Sequence, residues 1–220
     1  VLKITSSTLI GRRYLQPVLN DFQKRFPQVE VELILDDRLV DIVSEGFDLA
    51  FRIGEPKDSS LIARKIARTR LLIVAAPEFI STYGMPATME ELADLPAASY
   101  ASNSMRVETV DYYNSSGEPC EQKIKSVYRA NDAEALLMKA ISGTAYFVAP
   151  AFIIGDEITD GKLIPILTDV KLMDYSAMYA VYPHRDLPVR TRLFFDAVRE
   201  YLGKDKPIWE HGIPNFEQMY

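Results

Sequence analysis

The sequence predicts an α/β fold divided into two lobes. Three observations carry this. Strand-like and helix-like patterns alternate from Leu2 to Ile53, the alternation breaks at Ala76-Pro77, and a second alternating series ends in a late strand pattern over 178–182 that can return the chain to the first lobe.

The elements follow in order. Residues 2–5 open as a strand. Leu15, Val18, Leu19, Phe22 and Phe26 recur every three or four positions, one apolar helix stripe, and Pro27 ends it. Residues 29–35 alternate apolar and charged side chains as a strand does. Leu39, Val40, Ile42 and Val43 suggest a short helix stopped by Gly46, and 48–53 a third strand. This order implies parallel strands with helical crossovers. Strands are expected over 61–67 and 71–75, then a helix over 77–83 closed by Gly84. Thr88 and Glu91 have capping-box spacing. Strands are expected over 107–113 and 122–129, around the polar turn Asn114-Ser115-Ser116-Gly117. Asp132 is placed to cap a helix carrying Leu136, Leu137, Ala140 and Ile141, with Gly143 ending it. A buried strand over 145–149, a helix over 152–160 and a strand over 163–167 complete the second lobe. Val189, Leu193, Phe194, Ala197, Val198 and Leu202 mark the last helix, ended by Gly203. Residues 1–76 and 178–203 are therefore read as lobe I, 77–177 as lobe II, and 204–220 as a C-terminal tail.

Composition narrows the function. The 220 residues are 48% hydrophobic and 25% charged, with a formal net charge of −6. Affinity for a phosphate backbone comes mainly from Lys and Arg, so this piece is not the one that grips DNA. One cysteine, Cys120, in what reads as a turn, excludes an internal disulfide and fits a reducing, cytoplasmic setting. No apolar run approaches a membrane span, and the N-terminus reads as a strand rather than a signal peptide. That abrupt start suggests a fragment of something longer, or a mature chain without its leader. The two histidines, His184 and His211, form no metal motif with each other or with Cys120. Phosphate-loop, dinucleotide and nucleophile-elbow motifs are absent, so neither a cofactor nor a catalytic residue is assigned.

The informative residues lie at strand ends. Ser6-Ser7-Thr8 connects the first strand to the first helix, where α/β proteins open their ligand crevice. Three hydroxyls beside a helix N-terminus suit a carboxylate; the plainer role is a helix cap. Asp36-Asp37-Arg38 occupies the matching end of the next strand, as a cap and solvated charge or as ligand contacts. Arg52 offers a fork of donors to the crevice, or pairs with Asp48 or Glu55. Asn131-Asp132 repeats the strand-to-helix arrangement in the second lobe. Met138 and Phe147 read as core.

Taken together, several segments resemble the effector-binding domain of LysR-type transcriptional regulators. Gly11-Arg12-Arg13-Tyr14-Leu15-Gln16-Pro17 with Phe26-Pro27 is similar to the family's first helix. Val40-Asp41-Ile42-Val43-Ser44-Glu45-Gly46-Phe47-Asp48-Leu49-Ala50-Phe51-Arg52-Ile53-Gly54 is the most specific match. Asp58-Ser59-Ser60-Leu61, Ala75-Ala76-Pro77, Tyr83-Gly84-Met85-Pro86, Gly161-Lys162-Leu163 and Tyr182-Pro183-His184-Arg185 follow in order, so the likeness covers residues 1–203. It implies a two-lobed fold like type 2 periplasmic binding proteins, each lobe a mixed sheet flanked by helices and joined by two crossover strands. It implies a small-molecule effector in the interlobe cleft, a homodimer or homotetramer, and DNA contact only through an N-terminal winged helix-turn-helix outside this chain. It also implies effector contacts at Ser6, Ser7, Thr8, Asp36, Asp37, Arg38, Asn131 and Asp132, with Ser102 and Ser104 in a segment that often lines the cleft. Gly143-Thr144-Ala145-Tyr146-Phe147 departs from the family's Gly-x-Gly-Ile-Ala by its larger side chains. With hydroxyls and Arg52 at hand, the expected effector is an organic anion, best a small carboxylate. The alternatives are a solute-binding protein of a transport system and an enzyme on the same scaffold.

Overall fold

Parallel pairing of the first strands sets the architecture. In the computed structural model, which describes residues 1–38, 40–56, 60–103, 105–203 and 205–219, strand β1 (Leu2–Ser6) pairs in parallel with β2 (Val31–Leu35) and with β3 (Leu49–Ile53). Strand β12 (Ala177–Tyr182) returns antiparallel between β3 and β4 (Ile62–Arg68), giving the order β2-β1-β3-β12-β4. Tertiary contacts divide the chain into unit 1, Val1–Thr69 with Ser176–Ile208, and unit 2, Arg70–Tyr175 with Trp209–Tyr220.

In unit 1 the first helix begins earlier than its apolar stripe suggests. It opens as α1 (Thr8–Ile10), widens into a π-helical segment over Gly11–Leu15 and continues as α2 (Gln16–Arg25). Pro17 has no N–H to return to the Arg13 carbonyl, and the widened turn lies immediately before it. The stripe residues Val18, Leu19 and Phe22 are buried. Phe22 meets Phe194 edge-on at 5.4 Å, and Phe194 meets Phe51 at 6.1 Å, so α2, the last long helix and the sheet share one core. The short helix expected near Ile42 is instead a pair of turns. Asp41 accepts from the Val43 and Ser44 N–H groups at 3.0 and 3.1 Å, and Gly46 takes φ +70°, which favours glycine. Leu39, also in that expectation, lies outside the described residues, as do Asp58 and Ser59.

Unit 2 holds a second mixed sheet, β11-β5-β10-β6-β9. Its strands are β5 (Leu71–Ala75), β6 (Pro96–Tyr100), β9 (Lys125–Ala130), β10 (Tyr146–Pro150) and β11 (Ile164–Ile166). β5, read from sequence as part of the first lobe, pairs with β10 on one side and β11 on the other, so the first crossing precedes it at Thr69–Arg70 rather than at Ala76. Its apolar run fits either sheet; only the partners decide. β6 carries no strand signal in the sequence, because Pro-Ala-Ala-Ser-Tyr lacks the branched residues that mark strands. The expected strand over 122–129 divides at Ile124: β8 (Pro119–Lys123) forms a hairpin with β7 (Thr109–Tyr113), while β9 joins the main sheet. Cys120 therefore lies in a strand, half-buried, not in the turn.

The helices of unit 2 are capped much as the sequence suggests. The Thr88 hydroxyl accepts from the Glu91 N–H at 3.2 Å at the start of α4 (Met89–Ala93), and Glu91 reaches back to the Ala87 N–H at 2.7 Å. Asp132 accepts from the Ala135 N–H at 2.7 Å at the start of α5 (Ala133–Ile141). Helix α6 (Ala151–Thr159) is buried along most of its length, and the tail reaches it at Phe152, Gly155 and Thr159. Trp209 meets Phe152 edge-on at 6.0 Å, and a side chain at Gly155 would collide with the Trp209 carbonyl. Helices α3 (Pro77–Tyr83) and α7 (Val189–Leu202) complete the fold. Among the described residues no helix is long and apolar enough to cross a membrane.

Candidate functional site

Parallel pairing brings the ends of β1, β2 and β3 together, and with them most of the candidate residues of the first lobe. Ser6 aligns with Leu35 on one side and Phe51 on the other. Its Oγ is fully buried and has no hydrogen-bond partner. An unpaired hydroxyl in such a place costs about 1–3 kcal/mol, so it asks for an explanation. Ser7 is the N-cap of α1, yet its side chain makes no capping bond. The capping acceptor comes from elsewhere: Asp37 accepts from the Thr8 N–H at 2.9 Å across 29 residues of sequence.

The charges at this rim are largely engaged. Asp36 binds Arg38 through both carboxylate oxygens, with Arg38 Nη2 at 2.8 Å and Nε at 3.1 and 3.2 Å, and accepts from the Arg38 N–H at 2.9 Å. The Arg38 side-chain and backbone hydrogen bonds hold the Asp36 carboxyl down at about 2. Arg52 pairs with neither Asp48 nor Glu55 here. It donates through Nη1 to the Asp36 carbonyl and through Nη2 to Thr5 Oγ1 at 3.1 Å. Burial pulls the half-buried Arg52 guanidinium below its ordinary pKa, against the favourable charges of Asp36 and Asp37. Arg52 thus fixes the β1 and β2 ends to each other and keeps a cation at the rim.

The candidates of the second lobe are not assembled in the same way. Asn131 and Asp132 are exposed, and Asp132 is spent on its helix cap. Ser102 is half-buried and shapes a turn: its N–H donates to the Met105 carbonyl at 2.7 Å and its Oγ accepts from the Met105 N–H at 3.2 Å. Ser104 lies outside the described residues. Met138, expected in the core, is 67% exposed. Unit 2 instead contains a cavity of about 490 Å³, lined by Ala98, Tyr100, Leu136, Phe147, Ile153 and Tyr175 among others. Phe147, read from sequence as core, is one of its walls; nothing in the local pattern distinguishes a wall from a core position. Its neighbour Tyr146 is fully buried, and burial pushes its phenol pKa up. Among the described residues no three His, Cys, Asp or Glu side chains cluster as metal ligands.

A family model described as the LysR substrate binding domain matches residues 1–203. The chain belongs to this family. The LysR domain is 30% identical over 207 residues to the HTH-type transcriptional regulator PtxR of Pseudomonas aeruginosa, covering 93% of this chain and 65% of that protein. It is 28% identical over 208 residues to the regulator CrgA of Neisseria meningitidis serogroup C, covering 93% and 68%. The chain thus spans about two thirds of the length of these relatives. The solved regulatory domain of CrgA superposes with a TM-score of 0.79 at 28% identity, covering 92% of this chain and 98% of that one. Such regulatory domains have the type 2 periplasmic-binding-like fold, and the two mixed sheets with flanking helices are that fold here. Both relatives are HTH-type transcriptional regulators.

Proposed function

We propose that this LysR domain senses a small organic anion, best a carboxylate, and that its occupancy controls transcription through a DNA-binding domain elsewhere in a cytoplasmic, homodimeric regulator. One observation carries the ligand part: the buried Ser6 Oγ without a partner at the joined ends of β1, β2 and β3. A ligand oxygen there would accept its proton and draw on the Arg52 charge. The uncapped Ser7 hydroxyl supplies a second donor. Asp36 is already matched by Arg38, so the nearby unmatched acid is Asp37, itself turned to the Thr8 N–H. Control of transcription requires that the effector bind one arrangement of the regulator better than another; equal affinity for both would change nothing.

The test is a thermal-shift screen of organic acids against the parent and Ser6→Ala. A ligand at one hundred times its Kd adds about 2.7 kcal/mol to the folded state, a shift of several degrees. A stabilising acid whose effect shrinks in Ser6→Ala supports the reading. An acid that stabilises both proteins equally, or a library without a single stabilising acid, overturns it. Sedimentation equilibrium tests the homodimer separately.

A further inference from the structure

The chain passes between the two units three times. The first two passages, at Thr69–Arg70 and Tyr175–Ser176, are the two crossings expected of the fold. The third, at Ile208–Trp209, lies beyond the family match, which ends at residue 203. In unit 1 the Thr69 hydroxyl donates to the Ser176 carbonyl, so the ends of the first two passages are bonded to each other. In unit 2 Arg70 does the same for the first and third. Its guanidinium holds Glu210 at 3.1 Å, just past the third passage, and its carbonyl accepts from the Ala151 N–H at 2.8 Å at the start of α6.

The third passage has little slack. Pro207 before it and Trp209 after it are buried, and a single 3-10 turn, Ile208–Glu210, carries the chain across. Beyond it the tail interlocks with unit 2. Trp209, Ile213 and Phe216 are buried. A side chain at Gly212 would collide with Thr159 Oγ1 of α6, as one at Gly155 would with the Trp209 carbonyl. Packing this close is either made or broken, with little between. A hinge moves by changing a few backbone angles where its halves connect, so each further connection without slack removes freedom. We propose that residues 205–219 are a strap across the hinge: docked, they restrict the movement of one lobe against the other, and their release from unit 2 frees it. This goes beyond the anion-sensing reading and does not depend on it, since the strap acts with or without an effector.

The test reads lobe movement by pulsed electron paramagnetic resonance on the whole chain without effector. Nitroxides are placed at Asp196→Cys in α7 and Ser81→Cys in α3, two exposed positions, in a Cys120→Ser background. Labelled chain is diluted in unlabelled chain, so that each distance lies within one molecule. Trp209 is the sole tryptophan, and its emission reports whether the tail is docked. Six Gly and Ser residues inserted between Ile208 and Trp209 add about 13 Å of slack and should widen the distance distribution about twofold. Ile213→Ala/Phe216→Ala should shift the Trp209 emission to the red and widen the distribution likewise. Should that variant misfold, the insertion, which removes no packed side chain, decides. The proposal is overturned if the insertion leaves the distribution as narrow as in the parent, or if the tail undocks by its emission and the distribution does not widen. Neither result bears on Ser6, because no effector is present.

Discussion

Asp36 is the residue whose chemistry the fold alters most legibly. Its carboxyl is held near 2, below the ordinary aspartate value, so the Asp36–Arg38 interaction stabilises the folded state fully above about pH 4 and is lost as the pH falls toward 2. In Arg38→Ala the Asp36 carboxyl should titrate back near its ordinary range, read from its carbon resonance by NMR. Ser6 makes a prediction of the opposite kind. Removing a buried hydroxyl that has no partner relieves a desolvation cost, so Ser6→Ala without ligand should melt at or slightly above the parent temperature, a change of about 0–1 kcal/mol. A clear loss of stability would show that the hydroxyl is paired in solution. The Ser6-Ser7-Thr8 segment was legible in sequence because a strand followed by a helix must end at such a place. That Asp37, and not Ser7, satisfies the Thr8 N–H was not legible, since the two are 29 residues apart.

Helix α6 and the tail that packs with it show what an element requires. Arg70 opens unit 2 and is nearly buried, with Glu210 at 3.1 Å, Glu217 at 3.4 Å and the Phe216 ring centroid 4.1 Å from its guanidinium carbon. Glu210 is fully buried, so Arg70→Ala removes a paired cation from a buried carboxylate and should cost about 3–5 kcal/mol in urea unfolding. Arg70→Met/Glu210→Gln, which removes both charges, should recover most of that loss. Gly155→Ala should favour an isolated helix, yet here the added methyl meets the Trp209 carbonyl. A net loss of about 1–3 kcal/mol is expected, and unchanged stability would mean the tail yields freely. The tail lies beyond the family match and has no periodicity, so its packing could not be read from sequence.

For the whole molecule, the net charge of −6 leaves little to neutralise phosphates. Fluorescence anisotropy at physiological salt should show no binding of this chain to duplex DNA at tens of micromolar; binding at that level would place a DNA contact within this chain. The sequence by itself determined the α/β class, most helices and strands, the caps at Thr88 and Asp132, and the family, because each rests on local periodicity, short-range hydrogen bonds or an ordered series of motifs. Only the tertiary structure decided that β5 belongs to the second sheet, that Ala-rich β6 is one of that sheet's inner strands, that Arg52 spans Thr5 and Asp36, and that Phe147 walls a cavity. The physical reason is the same in each case: a strand's partners and a side chain's neighbours come from distant segments, and the pattern of a single segment holds no record of them.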